Sequence, residues 1–295
     1  MIAGDQLASL WGFSSMLANL PPFMGQRLYE LRSAHRLAGL DARHFMQVDA
    51  KLRAHFGSLD GLRMLDLGHG SRFNQLLLFH SRGVQIAGLD MERFPLRSPS
   101  AWGRMCQRVY YGLLQSYTAV RLQFRGLQVI QGDAQQLPLA DQSLDCVISN
   151  AVFEHLPDVA QVLREVRRVL APGGVAHIGL HLWTSPSGSH HPAIVDYPLR
   201  AERWPRELVP WFHLRELPPY DLRHAPTYGY QRQYLNRNRE HDYRQAFEAA
   251  LEVVEWQRFY REGEVLIQPE VLAALPDYST DELTTRSLRV LARRP

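Results

Sequence analysis

Between residues 62 and 183 the chain alternates short apolar runs with stretches of helical periodicity. The runs are Leu62–Leu67, Val84–Leu89, Leu127–Ile130, Leu144–Ser149 and Val175–Leu182. Runs this short and this uniformly apolar are those of parallel strands covered on both faces. The clearest helix is predicted from Asp158 to Leu170. Val159, Val162, Leu163, Val166, Val169 and Leu170 form one apolar stripe, with Arg164, Glu165, Arg167 and Arg168 elsewhere on the surface. Ala171-Pro172-Gly173-Gly174 is expected to end it. A helix near Asn238–Ala250 precedes two strand-like runs, Leu251–Phe259 and Ser287–Ala292, expected to extend the same sheet as an antiparallel edge pair.

The remaining patterning is helical or irregular. Residues 1–61 predict helices near 25–38 and 41–56, the second capped by Asp41 and stopped by Gly57. Residues 100–124 predict a further helix whose stripe of Trp102, Met105, Val109, Leu113 and Tyr117 reads as a packing face. The chain therefore divides into a helical cap (1–61), an α/β core (62–183), an insertion (184–236) and a C-terminal return to the sheet (237–295). The insertion is rich in aromatic residues, among them Trp204, Trp211, Phe212, Tyr220, Tyr228, Tyr230 and Tyr234. With the N-terminal helices it is expected to act as a lid.

Composition narrows the chemistry. The formal net charge is only +3 and the basic residues are scattered. Nucleic-acid binding needs a concentrated basic face, so no nucleic-acid partner is expected. Lys51 is the sole lysine and the G-K-[ST] pattern is absent, which weakens pyridoxal, lysine-dependent dehydrogenase and P-loop readings. Two distant cysteines, Cys106 and Cys146, give neither a disulfide framework nor a zinc spacing. With no secretory leader and no bilayer-length apolar run, a cytoplasmic protein without membrane insertion is expected.

Four sequence features lie at strand ends. Asp66-Leu67-Gly68-His69-Gly70 closes the first strand, its glycines allowing a tight turn and close approach of a ligand. A third glycine, needed to cradle a pyrophosphate, is replaced by Phe73. Gly88-Leu89-Asp90 closes the second strand about 20 residues on, where an acid can accept from both hydroxyls of a ribose. Gln131-Gly132-Asp133-Ala134 follows the third strand, and Ser149-Asn150-Ala151-Val152-Phe153-Glu154-His155-Leu156 closes the fourth.

In this order and spacing the run from Met64 to Trp183 resembles the class I S-adenosylmethionine-dependent methyltransferases, in their small-molecule branch. The resemblance implies a Rossmann-like, doubly wound, seven-stranded, mostly parallel sheet with a reversed final hairpin. It implies S-adenosylmethionine as cofactor, with Asp66, Gly68, His69 and Gly70 around its methionine part. Asp90 would bind the ribose and Met91 would pack on the adenine. Asp133 and Ala134 would read the adenine edge, and Asn150 would lie near the sulfonium. His69 and Arg72 depart from the family's usual small residues, and Arg72 would either crowd the cofactor's tail or pair with its carboxylate.

Methyl transfer needs an aligned nucleophile, exclusion of water and, for some acceptors, a base. Candidates at strand ends and beyond are Asn150, His155, His181 and His190, with Asp196 and Tyr197 weaker. The segment Thr184–Pro192 reads as a substrate loop. His190 and His191, adjacent but without carboxylate spacing, do not predict a metal site, and none is expected. No Asn-Pro-Pro-aromatic signature follows the fourth strand, which disfavours amino groups of bases or glutamine as acceptors. A small-molecule acceptor is the first expectation. The same fold also accommodates a cyclase that converts the cofactor itself to azetidine-2-carboxylate and methylthioadenosine, and a cofactor-binding protein without turnover.

Overall fold

A computed structural model describes residues 20–191, 194, 204–206, 208–217 and 234–295, with side chains of the first helix described from residue 33 onward. Asp196, Tyr197, Tyr220, Tyr228 and Tyr230 lie outside the described residues. The chain forms two compact units: residues 60–93 with 126–295, and residues 1–59 with 94–125.

The first unit is built on one seven-stranded sheet. Its strands are β1 (Arg63–Leu67), β2 (Gln85–Asp90), β3 (Gln128–Gln131), β4 (Leu144–Asn150), β5 (Leu170–His181), β6 (Glu252–Arg261) and β7 (Thr285–Arg293), in spatial order β3-β2-β1-β4-β5-β7-β6. β1 to β5 are mutually parallel, whereas β7 runs antiparallel to both β5 and β6. β1 sends its successor to one side and β4 lies on the other, so the strand order reverses at β1. In open α/β sheets a ligand crevice forms at the carboxyl ends of the strands flanking such a reversal.

The apolar runs of the central strands are buried, whereas the edge strands β3 and β6 have no buried residue. Leu65, Leu67, Val147, Ala176 and Ile178 are buried in one core with the stripe Val159, Val162, Leu163, Val166 and Val169. That stripe lies on the helix Val159–Val169, started by Asp158, whose side chain accepts from the Gln161 N–H. The helices of this unit also include Asn74–Ser81 after the glycine turn and Glu240–Ala250, which adds Tyr243 and Phe247 to the core. The Ala171–Gly174 segment ends the helix as expected but is not a free turn. β5 already begins at Leu170, and the pairing jumps from Leu144–Leu170 to Cys146–Val175, so these residues form an irregularity inside the strand. Short helices at Pro269–Ala274 and Thr280–Thr284, between the last two strands, carry too little periodicity to be legible in the sequence.

The second unit corrects two expectations. A single uninterrupted helix, Leu20–Phe56, replaces the predicted pair. Asp41 is therefore not a cap; its carboxylate accepts from the Tyr110 hydroxyl at 2.6 Å in the interior. Tertiary hydrogen bonding here overrides the local capping preference. Gly57 does end the helix, in the left-handed conformation at φ +77° with its N–H on the Arg53 carbonyl. The other helix, Ala101–Thr118, starts at Ser100, which accepts from Gly103. Its buried positions are Tyr110, Leu114 and Thr118, while Met105, Val109 and Tyr117 are exposed. The buried face is thus rotated one position from the predicted stripe, because the polar ends of Tyr110 and Thr118 find internal partners, Asp41 and the Leu114 carbonyl.

Candidate functional site

The carboxyl ends of β1, β2, β3 and β4 are laced together by backbone and carboxylate contacts. Asp66, at the end of β1, is buried and accepts from the Leu76 N–H at 3.0 Å, which pins the start of the following helix to the strand. Burial, reinforced by the nearby Asp90 charge, pushes its carboxyl up to about 7 against the opposing Leu76 hydrogen bond. The turn after it depends on glycine at two places. Gly68 has φ +77°, and a Cβ there would lie 2.3 Å from the Val152 side chain; Gly70 has φ +60°. The Gly70 N–H donates to Asp90 Oδ2 at 3.0 Å, and the Glu92 N–H donates to Asp90 Oδ1 at 3.0 Å.

Phe73 occupies the third-glycine position and keeps a glycine-like backbone, at φ 50°, with its side chain fully buried. Its ring stacks on His69 at 4.7 Å. His69 is buried as well, against the space above Gly88 and Leu76, with Nδ1 2.9 Å from the Gly70 carbonyl. Its side chain therefore buttresses the turn from beneath. The His69 side chain, expected around the methionine part of the cofactor, packs inward on Phe73.

On the β3 side, Gly132 N–H donates to the Asp90 carbonyl and the Gln131 side chain to the Met91 carbonyl. Asp133 is exposed, with Oδ1 accepting from the Gln135 N–H at 2.8 Å, whereas Ala134 is buried in the core. Met91 is 62% exposed, an apolar side chain left open at the sheet edge. At β4, Ser149 donates to the Leu67 carbonyl, and Asn150 projects over Gly179, where a Cβ would lie 2.7 Å from its Oδ1. Ala151 then takes the left-handed conformation at φ 56° and turns the chain out of the sheet.

A second constellation lies in the same unit where β4 and β5 end. His181 closes β5. Its Nε2 is 3.1 Å from both Ser185 Oγ and Ser187 Oγ, and its Nδ1 is 3.0 Å from His190 Nε2. Ser187 donates its hydroxyl to Glu262 Oε1 at 2.6 Å, and its N–H reaches the same oxygen at 2.9 Å. Glu154 is 3% exposed, and neither of its oxygens has a donor in bonding geometry. Burial pushes its carboxyl up to about 8. Burial drives His190 down to about 3 and His181 well below its ordinary value, so both rings are neutral. His213, also buried and pushed down to about 4, donates its Nε2–H to the Trp183 carbonyl, 2.9 Å away.

The segment following β5 is therefore not the open substrate loop expected from its Ser, Gly and His content. Thr184, Ser185, Ser187, Ser189 and His190 are all buried. Gly188 packs so tightly that a Cβ would meet the Trp183 carbonyl at 2.2 Å. Of the insertion, Trp211 is fully buried and donates to the Thr184 and Leu283 carbonyls at 3.1 and 3.2 Å, which anchors it to the sheet end. His155 is only partly buried. Its Nδ1 is 2.9 Å from the Tyr234 carbonyl, and its ring centroid is 5.1 Å from that of His190. Cys146 is buried within β4, where burial raises its thiol far above any reactive range.

The profile of the family described as "Methyltransferase domain" matches residues 65–178, from β1 into β5, a span that carries the glycine turn, Asp90, Asp133 and Asn150 and, of the second constellation, only Glu154 and His155. Over that span the chain is similar to methyltransferases that use S-adenosylmethionine. An uncharacterized methyltransferase of Mycobacteroides abscessus is 36% identical over 87 residues, 27% of this chain and 34% of that protein. The arsenite methyltransferase of Aquipseudomonas alcaligenes is 32% identical over 166 residues, 55% of this chain and 41% of that protein. The chain thus spans less than half the length of these curated relatives. The solved S-adenosylmethionine-dependent methyltransferase of Mesorhizobium loti superposes with a TM-score of 0.44 at 16% identity, covering 83% of this chain and 96% of that one.

The cofactor that this similarity implies is S-adenosylmethionine, and the residues of the β1–β2 crevice suit it. Each Asp90 oxygen accepts one backbone N–H and keeps further acceptor capacity for the two ribose hydroxyls. Gly68 and Gly70 leave backbone rather than side chain facing the crevice. The buried Gln75 amide, just after the turn, has neither its oxygen nor its nitrogen satisfied by the protein. Sequence reasoning missed Glu154 as a chemical group and Glu262 altogether, and placed Ser187 only within a substrate loop. The one available signal was a carboxylate in the otherwise apolar run Val152-Phe153-Glu154.

Proposed function

We propose that the protein transfers the methyl group of S-adenosylmethionine to a small-molecule acceptor. S-adenosylmethionine supplies a methyl carbon on a positively charged sulfur, open to in-line attack. The observation that carries the reading is the contact between Gly70 N–H and Asp90 across the β1–β2 crevice. It ties the glycine turn to the ribose-binding acid in the arrangement that the cofactor requires. Asp90 accepts from the ribose hydroxyls, the Gly68–Gly70 backbone borders the methionine end, and Met91 and Ala134 flank the adenine. Asn150 stands at the end of β4, the edge where an acceptor would meet the reactive methyl.

His155 is the base in this proposal. The hydrogen bond from Nδ1–H to the Tyr234 carbonyl leaves the lone pair on Nε2, and burial lowers the ring's affinity for a proton, keeping it neutral and able to receive one. His181 and His190 are not assigned that role. Their nitrogens face each other and two serines in the interior rather than an acceptor. The scattered basic residues and net charge of +3 favour a small acceptor over nucleic acid.

The test is mass spectrometry after incubating the protein with S-adenosylmethionine and a panel of hydroxyl, amine and carbon-acid acceptors. Acceptor-dependent S-adenosylhomocysteine with a product heavier by one methylene is the expected result. Methylthioadenosine and azetidine acid from the cofactor alone would replace this reading with self-cyclisation. Tight cofactor binding with no product across the panel would replace it with a binding role.

A further inference from the structure

Three groups that the methyl-transfer reading does not use converge in the interior. One ligating atom from each of Glu154, His181 and His190 lies within 4.8 Å of the others, and all three residues are buried. We infer that they bind one divalent transition-metal ion of the zinc class, held by two imidazole nitrogens and a carboxylate oxygen.

The hydrogen-bond directions carry the inference. Glu262 can only accept, so Ser187 gives it the hydroxyl proton and must itself accept from His181 Nε2–H. The His181 proton is thereby fixed on Nε2, and its Nδ1 presents a lone pair toward His190. This is the outer-shell pattern of a metal-bound histidine, whose second ring nitrogen donates to a group that is itself oriented by a carboxylate. The two facing nitrogens are 3.0 Å apart. Two nitrogens sharing one zinc ion, each about 2.1 Å away, sit roughly 3.0–3.4 Å from each other. Glu154 completes the set. Only 3% of it is exposed, its two oxygens lack donors in bonding geometry, and it flanks the same point. The Arg286 guanidinium, the nearby cation, is directed to Glu262 at 3.6 Å.

A buried carboxylate beside the His181 lone pair is costly unless a cation or a proton is shared among the three groups. Two imidazoles and one carboxylate match zinc and its first-row neighbours, whereas magnesium and calcium prefer all-oxygen sites. The sequence could not show this, because the carboxylate comes from the turn after β4 and the histidines from β5 and beyond. His191, the neighbour that gives the histidine pair its motif-like look, turns away and packs its ring on Phe212 at 5.8 Å.

The untagged full-length protein should be stripped with a chelator and equilibrated with zinc, with cobalt(II) as an optical probe and with magnesium. The expected result is one zinc or cobalt per chain by elemental analysis, a visible cobalt spectrum of mixed nitrogen and oxygen coordination, and a thermal midpoint that rises with zinc but not with magnesium. Glu154→Gln and His190→Gln should each weaken zinc binding at least tenfold, while His191→Gln keeps the full equivalent. Stripped wild type that takes up neither zinc nor cobalt overturns the site. So does uptake undiminished in folded Glu154→Gln and His190→Gln, or a midpoint raised equally by magnesium. Should both variants fail to fold, metal uptake and midpoint of the wild type decide alone.

Discussion

The two constellations at the carboxyl edge of the sheet are built by opposite means. The β1–β2 crevice is assembled from residues close in sequence: Asp66, Gly68 and Gly70 on one turn, with Asp90 reaching back to Gly70 across 20 positions. Its groups are backbone N–H donors and a partly open carboxylate, ready for a polar ligand. The histidine cluster is assembled from the ends of β4 and β5 and from the residue after β6, with Glu262 meeting Ser187 across 75 positions. Its groups are buried side chains that bond to one another but leave both Glu154 oxygens, His190 Nδ1 and Glu262 Oε2 without a hydrogen-bond partner. A short-range site exposes donors and can be recognised from a motif, whereas a long-range one hides acceptors and becomes visible only in three dimensions.

The sharpest way to break this contrast is at Gly68. Gly68→Ala places a methyl 2.3 Å from Val152 in a left-handed backbone. The variant should abolish binding of S-adenosylhomocysteine in calorimetry and lose about 2–5 kcal/mol of stability in denaturant unfolding. Retained nanomolar or micromolar binding would show that the turn does not border the cofactor.

Asp66 tests whether the crevice holds a buried acid. Its folded-state value is raised from 3.8 to about 7, so between those values the folded protein holds a proton that the unfolded chain has released. The contribution is therefore fully favourable below about pH 4 and is lost as pH rises, by roughly 1.4 kcal/mol per pH unit, levelling off above about pH 7. Asp66→Asn should gain on the wild type by up to about 4 kcal/mol between pH 4 and 8. A pH-independent difference between the two melting curves would contradict the buried-acid assignment.

His155 lies between the two regions. His155→Gln should cut turnover roughly a hundredfold or more while leaving S-adenosylhomocysteine affinity unchanged, the signature of a lost base rather than lost binding. An equal loss in both would place His155 in the cofactor site instead. Asp90→Asn should do the reverse, weakening cofactor binding by roughly ten- to a hundredfold through loss of charge-assisted hydrogen bonds. The smallest effect is expected at Gly70→Ala. The position is left-handed but nothing lies within 4 Å of the added methyl, so about 1–2 kcal/mol of backbone strain is expected with the fold intact.

The contrast also explains how much of the molecule is legible in its sequence. Burial of the central strands imposes continuous apolar runs, so β1, β2, β4 and β5 and the Val159–Val169 helix can be read from one-dimensional patterning, while the edge strands β3 and β6, which have no buried residue, are read from their strand-like composition. Glycine turns leave a local signature, so Asp66, Gly68, Gly70 and Asp90 are identifiable from spacing and residue type. Where a polar side chain has a distant partner, local rules fail. Asp41 looks like a cap and is a buried acceptor for Tyr110, and the predicted face of the Ala101–Thr118 helix is one position off because Tyr110 and Thr118 turn inward. The Thr184–His190 segment looks like an exposed loop because Ser, Gly and His are usually solvated.

By itself, then, the sequence determined the parallel core, the reversed hairpin and the glycine turn after β1. These follow from hydrophobic periodicity and from backbone conformations that only glycine takes easily, both of which act over a few residues. Tertiary structure alone decided which histidines are buried, which nitrogen of His181 carries the proton, and that Glu154 faces two imidazoles rather than solvent. Those outcomes depend on hydrogen-bond partners dozens of residues away, and neither spacing nor composition encodes them.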